Sequence, residues 1–234
     1  FDAGAGVLRG LAAAGIEADR VEHVFLTHLH SDHTLGLDEL MLGAWTVGRA
    51  RALHVHGPPG VEEMVAHLAA AFAEDRAIRA DGLEGADPAG AVVEAHVLAP
   101  GVPVAVGGAR VRAFAVAHGS WAHAFGYRVD APDRRVVISG DTSPSEAVVE
   151  ACGGCDVLVH EVYAATGWRT RPEGFRAYHA AFHTSGEELG RLAARARPAR
   201  LVLTHLLPFG ASPEALVAGV GGGFSGEGIL AEDG

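Results

Sequence analysis

The six residues His28-Leu29-His30-Ser31-Asp32-His33 hold four side chains able to bind a metal. Neutral imidazole and carboxylate are the ligands that zinc and similar divalent ions prefer. The cluster follows Val21 to Thr27, an apolar run that reads as a buried strand, so the candidate ligands sit where a strand ends. A regular strand would put His28, His30 and Asp32 on one face. A turn would instead splay Asp32 and His33 toward a second point, an arrangement that serves two metals. A lone H-x-H would read as a polar surface loop, whereas H-x-H-x-D-H directly after a strand points to metal binding.

The elements that must position these residues alternate short apolar runs with helical stretches and turn clusters, without an internal repeat, which is an α/β pattern. Leu53 to His56 reads as a strand and Val61 to about Arg76 as a helix. The Gly- and Pro-rich segment from Arg79 to Gly90 reads as a mobile loop. Val102 to Val106 and Ala109 to Val116 flank Gly107-Gly108, a two-residue hairpin turn. Phe125 to Val129 and Arg135 to Ser139 predict a second hairpin. Ser143-Pro144-Ser145-Glu146 predicts a helix start with Pro at the first position. Ser185 and Glu188 have capping-box spacing, and Ser212-Pro213 opens a third helix. Asp156 to His160 and Arg200 to Thr204 are of strand length.

At 234 residues the chain predicts one domain over 1–234, and 49% hydrophobic against 20% charged residues excludes wholesale disorder. The longest charge-free stretches are 15 residues, whereas spanning a bilayer takes about 20, so no membrane association is expected. A net charge of −11, from 18 basic and 29 acidic residues, disfavours nucleic acid as a partner. Cys152-Gly153-Gly154-Cys155 has no second cysteine pair to complete a zinc site, and its glycines read as a helix C-cap. His54 and His56 share a strand face and read as residues at the edge of the core. With no visible signal peptide, cytoplasm is the expected location. The chain opens at Phe1 in what reads as a strand end, and strands before it are expected.

The run at 28–33 resembles the metallo-β-lactamase superfamily of binuclear metallohydrolases, and the resemblance runs almost end to end. Asp2 and Gly4 match its first motif, and His118 after a strand, Asp141 in Ser139-Gly140-Asp141-Thr142 and His205 in Leu203-Thr204-His205 fit its order. Taken singly, each of these last three also reads as a loop histidine or a turn residue. The resemblance implies an αββα sandwich of two mixed β-sheets with helices outside. It implies two divalent ions, zinc first, with manganese or iron as alternatives. One ion takes His28, His30 and His118, the other takes Asp32, His33 and His205, and Asp141 bridges them. A hydroxide shared by the metals would be the nucleophile. Asp2 would hold ligand geometry from behind. His179-Ala180-Ala181-Phe182-His183-Thr184-Ser185 looks like the branch containing ribonuclease Z and arylsulfatase-type hydrolases, in which His183 matches a catalytic position. Asp32 and His183 are therefore the catalytic candidates, His183 as a proton donor to the leaving group. His160-Glu161 also recurs in that branch and reads equally well as structural support.

Ribonuclease Z carries a long arm for transfer RNA between the His ligand and the bridging Asp, yet here only 141 − 118 = 23 positions separate them. That departure favours a small-molecule phosphodiester or related ester over tRNA 3′ processing, which stays as the alternative together with arylsulfatase, thioesterase or a non-catalytic metal-binding module. True β-lactamases place Cys at the bridging position, and glyoxalase II adds a helical domain for which the residues after His205 are too few. Trp168, Arg169, Arg171 and Arg176 lie between two site motifs and are candidate substrate contacts, with a solvated loop as the competing reading. A homodimer is the assembly considered.

Overall fold

A computed structural model describes residues 1–226 and 228–231, and within it the chain clusters into two units, Phe1–Leu98 and a second from Ala99 onward. The first contains α1 (Val7–Ala13), β1 (His23–Phe25), α2 (Ser31–Thr34), α3 (Leu37–Thr46), β2 (Leu53–Gly57), α4 (Val61–Ala71), α5 (Ala73–Asp81) and β3 (Val93–Val97). Its three strands pair in the order β1-β2-β3, all parallel, with His23 opposite His54 and His56 opposite His96. Parallel neighbours need long crossovers, and the intervening helices supply them.

Alternation along each strand gives this sheet two unlike faces. Val24, Leu26, Leu53 and Val55 cluster with Leu37, Leu40, Met41 and Ala44 of α3 and with Val61 and Val65 of α4. The α3 spacing of 37, 40, 41 and 44 is one helical stripe. Burying each of its leucines stabilises the unit by about 2 kcal/mol. The opposite face carries His23, His54, His56, Glu94 and His96 in register.

Three expectations shift in this unit. The strand expected over Val21 to Thr27 is only His23–Phe25, because the Thr27 amide donates to the Asp2 carboxylate instead of a ladder partner. The helix expected to about Arg76 breaks at Phe72 and resumes as α5 through Asp81. The segment read as a mobile loop is anchored at its far end. Trp45 Nε1 donates to the Asp87 carbonyl, and the buried Arg49 guanidinium donates to the carbonyls of Leu40, Met41 and Gly90. A Cβ on Gly90 would lie 1.6 Å from the Arg49 carbonyl oxygen, so only glycine permits this approach.

The second unit contains β4 (Pro103–Val106), β5 (Ala109–Ala115), β6 (Phe125–Asp130), β7 (Arg135–Ile138), α6 (Glu146–Cys152), β8 (Val157–Tyr163), α7 (Ala165–Arg169), α8 (Glu173–Phe182), α9 (Gly186–Ala196), β9 (Arg200–Leu207), α10 (Pro213–Gly221) and β10 (Gly228–Leu230). Its seven strands lie in the order β10-β9-β8-β7-β6-β5-β4. The pairs from β10 to β7 are parallel and those from β7 to β4 antiparallel. Of the two sheets expected to be mixed, this one is, whereas the first is parallel throughout its described strands.

Both expected hairpins are present. Gly107 and Gly108 have φ of 56° and 83°, the positive pair a tight hairpin turn requires. The Ser185–Glu188 capping box forms as expected and starts α9, whose Leu189, Leu192, Ala193 and Ala196 join Leu158, Leu201, Leu203, Leu216 and Val220 in the core. At α6 the start moves to Glu146, leaving Pro144 outside the helix. Cys152 and Cys155 form a disulfide across the turn after α6, where Gly153 makes the left-handed C-cap read from the sequence. Among the described residues, no helix is long and apolar enough to cross a membrane.

Candidate metal centre

In the first unit the candidate ligands follow β1 and enter α2. The Thr27 hydroxyl lies 3.0 Å from His28 Nδ1, and His28 Nε2 lies 2.8 Å from His30 Nδ1. Two ring nitrogens so close are suited to a shared cation. Asp32 Oδ2 and His33 Nε2 form a second pair at 3.5 Å. The turn that splays them is the short α2, which begins at Ser31.

Asp2 organises this cluster from behind. Its Oδ1 accepts from the Thr27 amide at 2.7 Å, and its Oδ2 accepts from the Thr27 hydroxyl at 3.0 Å and lies 2.8 Å from His33 Nδ1. A carboxylate on Nδ1 presents Nε2 as the metal-binding nitrogen. The Asp2 backbone is left-handed, φ 56°, and its N–H donates to the Phe25 carbonyl. Gly4 makes the close passage possible, since a Cβ there would lie 2.5 Å from the Asp32 carbonyl oxygen.

In the second unit His118, Asp141 and His183 are all buried, and their ligand-type atoms lie within 4.8 Å of one another. His118 Nδ1 lies 2.8 Å from the Phe182 carbonyl, which fixes the tautomer and presents Nε2. His205 Nε2 lies 3.3 Å and His183 Nδ1 3.9 Å from Asp141 Oδ2. His205 reaches this position through a β-bulge. Thr204 pairs with Glu161 and Leu206 with Val162, so His205 is the extra residue, with φ of 43°. Bulges re-aim side chains next to active sites.

Glu161, which the sequence left between support and function, is buried at the centre of this group. Its Oε1 accepts from the Thr184 amide at 2.8 Å and the Thr142 amide at 3.4 Å, and its Oε2 lies 3.5 Å from His183 Nδ1. Burial, and next the Asp141 carboxylate, push its carboxyl well above the ordinary range. The Thr184 hydroxyl donates to the Thr142 carbonyl, and the Thr142 hydroxyl reaches the Ala117 carbonyl beside His118. These threonines were not singled out from the sequence. The available signal was adjacency, because Thr27, Thr142, Thr184 and Thr204 each neighbour a candidate site residue in the chain. Ser185 caps the start of α9, and His183 follows the last residue of α8.

The segment that carries Trp168, Arg169, Arg171 and Arg176 is mostly helical, α7 and α8, rather than a solvated loop. Each side chain has a local partner. Trp168 Nε1 donates to the Arg176 carbonyl, and the Arg176 guanidinium lies over the Trp168 ring at 5.7 Å. Arg169 pairs with Glu187 at 2.7 Å, and Arg171 donates to the Phe209 carbonyl.

Residues 1–206 match the family described as Beta-lactamase superfamily domain, a span that runs through both units. A ribonuclease Z of Mycobacterium sp. (strain KMS) is 35% identical over 212 residues, covering 88% of this chain and 73% of its own. The metallo-beta-lactamase fold protein YhfI from Bacillus subtilis superposes with a TM-score of 0.75 at 23% identity, covering 100% of this chain and 83% of its own. The short form of human tRNase Z superposes with a TM-score of 0.69 at 22% identity, covering 100% and 85%. The expected fold is thereby established. Nucleic acid, which the charge balance disfavours, is the substrate class in the relatives' names. Divalent metal ions, typically zinc, are what this superfamily binds, and the nitrogen and oxygen donors of both clusters suit them. The chain belongs to the metallo-β-lactamase superfamily, in the branch of ribonuclease Z, and is a metal-dependent hydrolase.

Proposed function

We propose that the chain acts as one binuclear hydrolase domain on small phosphodiesters or related esters. His28, His30 and His118 would hold one ion, Asp32, His33 and His205 the other, and Asp141 both. The observation that carries this reading is the Asp141 carboxylate, buried and approached by ring nitrogens of His205 and His183. Burying a carboxylate's charge is costly, and a shared cation offsets that cost. Zinc suits this mixed nitrogen and oxygen donor set, with manganese or iron as the alternatives. When bound, such ions polarise the scissile ester and make water acidic enough to ionise near neutral pH.

The chain's own residues supply the rest. His183 turns Nδ1 toward the Glu161 and Asp141 carboxylates, which assigns Nε2 the proton given to the leaving oxygen. Asp32, exposed beside His33, is the second catalytic candidate. An anionic substrate would find Arg169 at little cost, because its exposed pairing with Glu187 is worth roughly 0–1 kcal/mol. Arg171, Arg176 and Trp168 complete the candidate contacts.

Cleavage of precursor tRNA is the second reading, favoured by the 35% identical relative named ribonuclease Z. Against it, the chain between His118 and Asp141 is occupied by the β6–β7 hairpin, whose strands are joined through a short turn at residues 131–134, with no projecting arm. Rates on an aryl phosphodiester and on precursor tRNA, measured across a salt series, separate the two. Phosphodiester turnover without tRNA cleavage is expected. Efficient tRNA cleavage with a steep salt slope would replace the first reading by the second. Turnover of neither, with two metals bound, would move the assignment to a sulfate ester or thioester substrate, or to a non-catalytic metal-binding module.

A further inference from the structure

The parallel sheet of the first unit carries a second collection of metal-capable side chains, remote in sequence from the motif at 28–33. His54 stands on β2, and Glu94 and His96 on β3, all on the face opposite the apolar core. His54 Nδ1 lies 3.1 Å from His96 Nε2 and 3.3 Å from Glu94 Oε2, and His96 Nε2 lies 3.9 Å from the same oxygen. Three atoms of ligand type thus form one small triangle. Metal–ligand bonds of about 2.0–2.1 Å in tetrahedral geometry put neighbouring ligand atoms about 3.3 Å apart. The triangle is already close to one face of such a tetrahedron.

Hydrogen bonding alone does not account for this convergence. His54 Nδ1 carries at most one proton, which can serve either His96 Nε2 or Glu94 Oε2. A cation satisfies all three atoms together. Two flanking rings brace the group. His23 stacks on His54 and His56 on His96, with centroids 4.8 Å apart in both pairs. His23 and His56 meet through Nδ1 and Nε2 at 3.1 Å, which leaves the buried His56 Nδ1 with no hydrogen-bond partner beside the group. Side-chain exposures of 30% for His54, 51% for Glu94 and 40% for His96 provide an entry path and room for water as a fourth ligand.

We propose that His54, Glu94 and His96 form an additional metal site that takes one divalent ion of the zinc type and ties β2 to β3. Two imidazoles and one carboxylate select zinc, or nickel or copper, over magnesium and calcium, which want all-oxygen shells. The ion would be structural in effect, favouring the state in which the two strands are paired. The inference does not depend on the hydrolase reading, since no residue is shared.

Zinc titration of the purified full chain by calorimetry, with bound zinc counted by elemental analysis after dialysis, tests it. The wild type is expected to bind three equivalents, and the His54→Gln/His96→Gln variant two. Glu94→Gln, an exposed and near-isosteric change, should weaken the third equivalent at least tenfold while leaving the far-ultraviolet circular dichroism unchanged. Should the double variant fail to fold, Glu94→Gln alone decides. Equal zinc stoichiometry and affinity in the wild type and in the folded variants would overturn the proposal. If instead the hydrolase centre held no metal, the count would fall from one to zero rather than from three to two, so the two failures read differently.

Discussion

Asp2 Oδ2 lies 2.8 Å from His33 Nδ1 across thirty-one positions of chain, and the same carboxylate accepts from both the amide and the hydroxyl of Thr27. This one side chain therefore sets the orientation of a candidate ligand on α2 and the end of β1. Asp2→Ala should weaken divalent-metal binding about 10- to 100-fold, the usual cost of losing a group behind a ligating histidine. Competition with a fluorescent chelator measures this, and wild-type affinity in the variant would remove Asp2 from the centre.

His183 and the ligands should separate by metal content. His183→Ala is expected to lower turnover about 10²- to 10⁴-fold, with the metals retained. Single-turnover rates and elemental analysis on the same sample give both quantities. Near-full activity on a substrate with a poor leaving group would rule out proton donation.

Within the second unit, Asp141→Ala should disturb metal binding more than His118→Ala. Asp141 is assigned to both ions and His118 to one, so the expected zinc loss is about two equivalents against about one. Binding energy is partly folding energy, so the thermal midpoint of Asp141→Ala should also fall further. Equal zinc loss in both variants would argue against a bridging carboxylate.

His160 makes stability sensitive to acid. It is fully buried, its Nδ1 donates to the Glu161 carbonyl, and burial lowers its pKa from 6.5 to about 4. The folded value lies below the unfolded one, so the unfolded chain binds the proton first as pH falls. The neutral ring's contribution is complete above pH about 6.5 and is lost progressively toward pH 4. Between pH 7 and 5 that loss is about 2 kcal/mol. In metal-free protein, urea unfolding at both pH values should show a smaller drop for His160→Leu than for the wild type, and an unchanged drop would exclude this cause.

What the sequence made legible was local. The Gly107-Gly108 turn and the Ser185–Glu188 box depend on residues a few positions apart and are present in the structure, and the candidate run at 28–33 is equally local. The stripe of α3 was equally available at 37, 40, 41 and 44 and was passed over. What stayed hidden depends on distant pairing. Arg49 anchors Gly90 across forty-one positions, and Glu161 gathers Thr142 and Thr184. The register that aligns His54 with Glu94 and His56 with His96 cannot be read from either strand alone. His54 and His56 looked like edge residues because their partners lie forty positions away. The disulfide joins two cysteines that the sequence left to a glycine turn.

The bulge on β9 makes that strand count differently on its two sides. Up to Thr204 each residue faces a fixed partner on β8, and from Leu206 onward every partner is displaced by one. Straightening the strand with His205 kept in the ladder would therefore move Leu206 and Leu207 to the wrong faces. Deleting His205 would instead leave Thr204 opposite Glu161 and Leu206 opposite Val162 and remove only the bulge and its imidazole. A graft, chimera or alignment that treats this strand as a uniform ladder will be right before position 205 and inverted after it. The useful unit of transfer between relatives is the strand together with its extra residue, and any redesign of the carboxyl-terminal part should keep the odd count.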